Sequence, residues 1–106
     1  MTFTVPVVFD CLNAMRALAE PTRLELIREL IDGPRSVSQL CEALSATPYN
    51  ASKHLRILKD AGLLSVRKQA QQRIYDLTTD LRQRLARNRN VLDLGCCQFN
   101  FDRLKP

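Results

Sequence analysis

The stretch between residues 36 and 64 constrains the fold of this chain more than any other. Ser36, with Gln39 three residues later, forms the signature of a capping box, which starts a helix. Thr47 and Pro48 give a second start signal, because a capping hydroxyl is followed by the residue favoured in the first helical turn. A second helix therefore begins only about three residues after the first one ends. Two helices joined so tightly are typical of a helix-turn-helix.

The second helix of this pair separates apolar from polar residues. At ~100° per residue, one arc collects Ala51, His54, Leu55, Leu58 and Ala61. The opposite arc collects Tyr49, Ser52, Lys53 and Arg56. A solvated helix face usually mixes charge signs, whereas this one has a phenol, a hydroxyl and two cations near the helix start. In a helix-turn-helix, that part of the second helix meets the edges of base pairs.

The net charge of the chain is concentrated in one segment. The chain as a whole carries +5, and the segment from Pro48 to Tyr75 has six cations against the single carboxylate of Asp60. These cations are Lys53, Arg56, Lys59, Arg67, Lys68 and Arg73. The remaining residues sum to zero, so the whole excess lies on the second helix and the segment after it. Concentrated positive charge of this kind suits a polyanion such as DNA.

The flanking sequence predicts three more helices and a hairpin. Apolar spacing favours helices over residues 7–18 and 21–31, and a last helix that begins at Thr79 and ends at Gly95. The inner side of that last helix has Leu81, Leu85 and Leu92, and its arginines are interpreted as mainly a solvated face. Residues 63–68 and 73–77 predict a β-hairpin. Its tip contains no Gly, Asn or Asp, so we expect a loop longer than two residues.

The predicted fold is thus a mainly α-helical, dimeric winged helix-turn-helix, with four helices, a two-stranded wing and a fifth helix. The 106 residues are the size of one domain, and a chain this short buries only roughly 60–70% of its unfolded surface. Dimerisation would therefore add useful burial. No apolar run approaches the ~20 residues that span a bilayer, and the first residues lack a secretory signal, so we expect a cytoplasmic protein without membrane contact.

Four segments together resemble the ArsR/SmtB family of winged-helix transcriptional regulators. They are LAEPTRLELIREL (18–30), SVSQLCEAL (36–44), TPYNASKHLRILKDAGLL (47–64) and RKQAQQRIYDL (67–77). The resemblance extends from residue 14 to about residue 80. Two departures stand out, since Glu20 replaces the Asp or Ser that is usual in the family, and Gln69-Ala70-Gln71 replaces a Glu-Gly-Arg wing tip. Neither change affects the predicted fold.

The resemblance implies a transcriptional repressor and not an enzyme. Family members pair as homodimers through their first and last helices and bind a palindromic double-stranded DNA operator, with half-sites roughly 34 Å apart. Carried over by position, the DNA-binding residues are Thr47 at a phosphate, Tyr49, Asn50, Ser52 and Lys53 at bases, and Arg56, Lys68 and Arg73 along the backbone. A thiol enzyme is disfavoured because the chain lacks a Cys-x-x-Cys motif and its one histidine, His54, lies on the second helix.

Repressors of this family release DNA when an effector binds, and two known types of metal site are absent here. Ser36-Val37-Ser38 stands where one type has Cys-Val-Cys, and the histidine pair of a second type has no counterpart. The remaining candidates are Cys11, Cys96 and Cys97. Three thiolates without nitrogen ligands suit As(III), Sb(III) or a large soft divalent ion. We therefore expect a thiophilic effector at these cysteines, within or between subunits, and no cofactor that folding requires.

Several alternatives stay open at this stage. The cysteines could sense oxidation, although a disulfide between neighbouring Cys96 and Cys97 would be strained because their Cα atoms are only ~3.8 Å apart. They could also be apolar fillers beside Phe99 and Phe101 in a repressor that needs no effector. Cys41 is interpreted as a buried, inert thiol. In a further alternative, from another class, the winged helix binds a protein and has no affinity for DNA.

Overall fold

The computed structural model describes residues 10–104, and within them it has five α-helices and five strands. The helices are α1 (Cys11–Leu18), α2 (Pro21–Ile31), α3 (Val37–Leu44), α4 (Pro48–Asp60) and α5 (Thr79–Arg87). The strands are β1 (Arg35–Ser36), β2 (Leu64–Gln69), β3 (Gln72–Leu77), β4 (Val91–Asp93) and β5 (Gln98–Asn100), followed by a 3-10 helix at Phe101–Arg103. The predicted order of four helices, a wing and a fifth helix is confirmed. Residues 7–9 of the predicted first helix lie outside the described residues.

Side-chain caps set the spacing of the helix-turn-helix. The Ser36 hydroxyl accepts from the Gln39 amide at 3.1 Å, and the Gln39 side chain accepts from the Ser36 amide at 2.8 Å. Thr47 caps α4 by accepting from the Asn50 amide at 3.2 Å. Only three residues separate Leu44 from Pro48, and the first of them, Ser45, ends α3 in a left-handed conformation. The predicted tight connection between the two helices is confirmed.

Leucine side chains, most of them from the helices, form the larger part of the core. The buried set from the helices includes Leu26, Ile27, Leu30, Leu40, Leu55, Leu58, Leu81 and Leu85. Each such side chain contributes roughly 1.5–3 kcal/mol relative to an exposed one. Since Ala51, Leu55 and Leu58 face this core, α4 must present its other side to solvent. With 13 residues, α4 is the longest helix between residues 10 and 104, and no helix there is fit to cross a membrane.

The tip of the wing differs from the prediction. Gln69 pairs with Gln72 across β2 and β3, so the strands are connected by only two residues, Ala70 and Gln71. Ala70 has a φ of 56°, the left-handed conformation that such hairpin turns need and that Ala adopts at a cost of roughly 1–2 kcal/mol. The prediction of a loop longer than two residues is therefore wrong. The continuous ladder from Leu64 to Gln69 imposes on Ala70 a conformation that its own preference does not supply.

The end of the chain also differs from the prediction, because α5 stops at Arg87 and not near Gly95. Arg89 and Asn90 both have positive φ, and the Asn90 amide donates to the Leu85 carbonyl at 2.8 Å. The chain then turns back as a hairpin in which β4 pairs with β5. Leu92 is buried as predicted, but it lies on β4. The apolar residues from 92 onward alternate, which is strand spacing and not helix spacing.

One arginine of α5 is part of the structural framework and not of a solvated face. The Arg82 guanidinium donates to the carbonyls of Ile31 and Leu30 at 3.2 and 3.0 Å, and it forms an ion pair with Asp76. These carbonyls end α2 and lack partners within the helix. Arg82 therefore connects α5 to both α2 and the wing strand β3.

Candidate nucleic-acid interface

The exposed side of α4 and the wing form one groove of about 660 Å³. Its polar lining includes Tyr49, Ser52, Lys53, Arg56, Lys59 and Arg73. Five of the eight predicted DNA-binding residues are thereby brought to one surface, four from the helix and one from the wing. Tyr49 is 78% exposed, which is unusual for such a large aromatic side chain. The arrangement combines stacking, hydroxyl and cationic groups on a concave surface.

The other three predicted residues lie beside this groove. Thr47 and Asn50 are exposed at the start of α4, where Thr47 is also the helix cap. Lys68 lies on β2 directly opposite Arg73 on β3. Because paired residues point to the same face of a hairpin, Lys68 shares the side of Arg73. Six of the eight predicted residues thus lie in the groove or on the same face of the wing, and Thr47 and Asn50 lie exposed at the start of α4.

The wing carries a local electrostatic cost. Lys68 and Arg73 are direct cross-strand partners, and like charges in that relation are unfavourable by roughly 0.2–1 kcal/mol. On α4 the Lys59 ammonium lies 3.9 Å from the Asp60 carboxylate in an exposed pair, which is weak in water. An anion in the groove would relieve the repulsion between the two wing cations. The geometry therefore favours a negatively charged occupant.

Three of the four cysteines, Cys11, Cys96 and Cys97, form a second group of candidate residues near the two ends of the chain. Cys11, the first residue of α1, is joined by a disulfide to Cys96 in the turn between β4 and β5, with Cα atoms 6.3 Å apart. Cys97 and Cys41 are free and partly buried. In this disulfide form, residues 10–104 contain no group of three or more His, Cys, Asp or Glu side chains arranged to hold a metal ion. The structure brings together two of the three predicted sulfur ligands, within one subunit.

His54 is held by residues that the sequence did not point to. Its Nδ1 lies 3.0 Å from the Arg23 guanidinium, and its Nε2 lies 4.0 Å from the Glu20 carboxylate. The side chain is only 18% exposed. This low exposure agrees with the place of His54 on the predicted apolar arc of the second helix. No local sequence signal at Arg23 or Glu20 indicates these contacts. Arg23 and His54, for example, are 31 positions apart.

Comparison with known proteins places this geometry in a family. The family model described as a helix-turn-helix domain matches residues 18–67. The SmtB repressor of Mycobacterium tuberculosis (strain ATCC 25618 / H37Rv) is 34% identical over 80 residues, which is 72% of this chain and 59% of that protein. A probable mercury resistance operon repressor of Streptomyces lividans is 33% identical over 90 residues, which is 77% of this chain and 70% of the relative. The chain belongs to the ArsR/SmtB family.

Solved structures agree with this membership. The homodimeric winged helix-turn-helix DNA-binding domain Mb0332 of Mycobacterium bovis, a possible ArsR-family regulator, has a TM-score of 0.67 at 26% identity and covers 74% of this chain and 73% of its own. Reduced HlyU of Vibrio cholerae N16961 has a TM-score of 0.63 at 31% identity, with coverages of 72% and 84%. The curated relatives are transcriptional repressors and not enzymes, which agrees with the prediction of a non-enzymatic protein. The match spans 59% of the length of SmtB.

Proposed function

We propose that this ArsR/SmtB protein is a homodimeric, sequence-specific repressor that places α4 in the major groove of a palindromic operator. The observation that carries the proposal is the shared groove, in which Tyr49, Ser52, Lys53 and Arg56 of α4 lie beside Arg73 of the wing. A helix face of this kind at the start of the second helix is how helix-turn-helix proteins reach base edges. Cations that repel one another on the wing are stabilised by a phosphate backbone.

Each proposed contact follows from its place in the fold. Tyr49, Asn50, Ser52 and Lys53 lie in the first turns of α4 and would approach bases, while Thr47, Arg56, Lys68 and Arg73 would bind phosphates. Dimerisation is supported by the homodimeric relative from Mycobacterium bovis. It is also supported by Leu12 on α1, which is 48% exposed and would gain burial against a second copy.

We expect duplex binding that weakens steeply as salt rises. Three phosphate-binding cations per protomer, Arg56, Lys68 and Arg73, would release about six counterions from a dimer, so the slope of log affinity against log salt should be roughly −5. The measurement is fluorescence anisotropy of a duplex selected by the protein from a random 30-base-pair pool, titrated at several salt concentrations. A slope near zero, or failure to enrich any sequence, would contradict DNA binding and favour a protein-interaction module.

We also propose that thiol chemistry at Cys11, Cys96 and Cys97 controls DNA release. In the dithiol form, these three sulfurs would bind As(III), Sb(III) or a soft divalent ion, which thiolates prefer. Support comes from the approach of Cys11 to Cys96 and from a relative described as a mercury resistance repressor. Cys97, next to Cys96 in the chain, would supply the third sulfur after a local rearrangement of the turn.

The disulfide favours a second candidate, in which the signal is oxidation. Two thiols at Cys11 and Cys96 would lose two protons and two electrons to a peroxide, which is reduced to two molecules of water. The Cys96 thiolate would attack the peroxide to give a sulfenic acid and one water molecule. The Cys11 thiolate would then displace the second water to form the disulfide. Cys96 is exposed and therefore accessible to such an oxidant.

Cys97→Ser distinguishes sensing of an ion from sensing of oxidation. The proposed ion site needs all three sulfurs, whereas the disulfide needs only those of Cys11 and Cys96. We expect the variant to bind the selected duplex normally, to lose release by arsenite and to keep release by hydrogen peroxide. The double variant Cys96→Ser, Cys97→Ser should lose both responses, whereas Cys41→Ser, the control, should keep them. Release titrations against arsenite and peroxide measure this. A double variant that still releases DNA in response to both would show that the sensing site lies elsewhere.

A further inference from the structure

We infer that Arg23 is the positioning residue through which the state of the Cys11–Cys96 pair reaches the DNA-binding helix α4. The inference rests on the proposed function, since it assumes that this pair controls DNA binding. It concerns a different part of the molecule, where α1, α2 and α4 meet. Arg23 touches neither the cysteines nor the groove.

Arg23 connects three elements by hydrogen bonds. Its Nε donates to the Ala17 carbonyl of α1 at 2.5 Å, and its Nη1 lies 3.0 Å from Nδ1 of His54 in α4. Its own backbone amide, in the first turn of α2, donates to the Glu20 carboxylate at 2.9 Å. The Ala17 carbonyl belongs to the last turn of α1 and has no partner within that helix. A single guanidinium therefore fixes the end of α1 against the middle of α4.

The chemistry of the contact fixes the tautomer of His54. Because a guanidinium only donates, Nδ1 of His54 must accept, and the ring proton lies on Nε2. Nε2 itself lies 4.0 Å from the Glu20 carboxylate. His54 lies next to Lys53 and two residues from Arg56, so a rotation of α4 at His54 moves both groove cations. The Arg23 bond thus sets how α4 presents its DNA-facing side.

Helix α1 is short enough to act as a rigid connection from the cysteines to Arg23. Cys11 is its first residue and Ala17 is six residues later, so their Cα atoms are about 9 Å apart along the helix axis. A bond between Cys11 and the β4–β5 turn fixes one end of this helix. Release of that bond allows α1 to shift, and the Ala17 carbonyl carries the shift to Arg23.

The chain offers a matched control in Arg82. Like Arg23, it is a partly buried arginine that bonds carbonyls at a helix end, in this case those of Leu30 and Ile31. Unlike Arg23, its observed bonds join α5 to α2 and β3, and none of them reaches α1 or α4. Variants of either arginine should therefore lower the free energy of unfolding. Only variants of Arg23 should lose the dependence of DNA affinity on the state of the Cys11–Cys96 pair.

The test compares the affinity of the disulfide and dithiol forms for the selected duplex. For the wild type we expect these affinities to differ by about tenfold, within the usual range for coupled sites, with the dithiol form binding more tightly. Arg23→Lys replaces the planar guanidinium, whose Nε and Nη1 reach Ala17 and His54 at once, by a single nitrogen atom, and His54→Leu removes the acceptor. In both variants the affinities of the disulfide and dithiol forms should differ by no more than about twofold. His54→Asn places an oxygen where Nδ1 was and should preserve the ratio, as should Arg82→Lys.

A cooperative thermal unfolding transition checks that each variant is folded. If His54→Leu does not fold, the test rests on Arg23→Lys. A wild type with unequal affinities and an Arg23→Lys variant with the same ratio would overturn the inference while leaving the proposed thiol control intact. Loss of the ratio in His54→Asn, or in Arg82→Lys, would also overturn it, because the Arg23–His54 bond would then not be the carrier. Equal affinities in the wild type would instead refute redox control by the Cys11–Cys96 pair, and the inference with it.

Discussion

Replacing Lys53 and Arg56 together by glutamate should lower the affinity of the protein for its selected duplex by about 10²–10⁴-fold. Each residue contributes roughly 1–3 kcal/mol if it meets a base or a phosphate, and reversal adds repulsion from the DNA. Both side chains are exposed in the groove between α4 and the wing and lie outside the core. The free energy of unfolding should therefore change by less than about 0.5 kcal/mol.

A charge-matched control distinguishes local contact from overall electrostatics. Arg89→Glu with Arg103→Glu changes the net charge by the same amount at two exposed positions outside α4, the wing and the helices α1 and α5. We expect that pair to weaken binding by less than about tenfold, through long-range attraction alone. Anisotropy titrations at 0.15 M salt measure both pairs. Equal losses in the two would mean that the groove is not the contact surface, and no loss in either would favour a partner other than DNA.

Local signals explain why the helix-turn-helix was predictable from the sequence. Ser36, Gln39 and Thr47 act on backbone groups within three residues of themselves, so their effect does not depend on the rest of the fold. The exposed face of α4 follows in the same way from a repeat of 3.6 residues. The wing tip was predicted wrongly because the conformation of Ala70 is imposed by pairing along β2 and β3 and not by its own preference.

The contacts that are proposed to control the candidate site were beyond local reasoning. Cys11 and Cys96 are 85 positions apart, and their meeting depends on where α5 ends. That end was misplaced because Leu92 fits the helical spacing of Leu81 and Leu85 equally well. The left-handed residues Arg89 and Asn90 decide against it. Arg23 and His54, and Arg82 with Leu30, likewise meet only once the helices have packed.

The disulfide should have the largest single effect on the stability of the protein. It links residues 85 positions apart, and a cross-link of that span reduces the entropy of the unfolded chain by an amount worth about 4–5 kcal/mol at 25 °C. The stabilisation acts mainly on the unfolded chain, because the β4–β5 hairpin is already anchored by Leu92 and Phe101 in the core. The dithiol form should therefore keep the same fold at lower stability.

Urea unfolding of the oxidised and reduced wild type tests this expectation. The oxidised form should unfold at a higher midpoint, and Cys11→Ser, which removes the bond, should match the reduced wild type under both conditions. Cys41→Ser should behave like the wild type, because Cys41 forms no disulfide. An oxidised wild type that unfolds at the same midpoint as Cys11→Ser would mean that the bond does not form in solution.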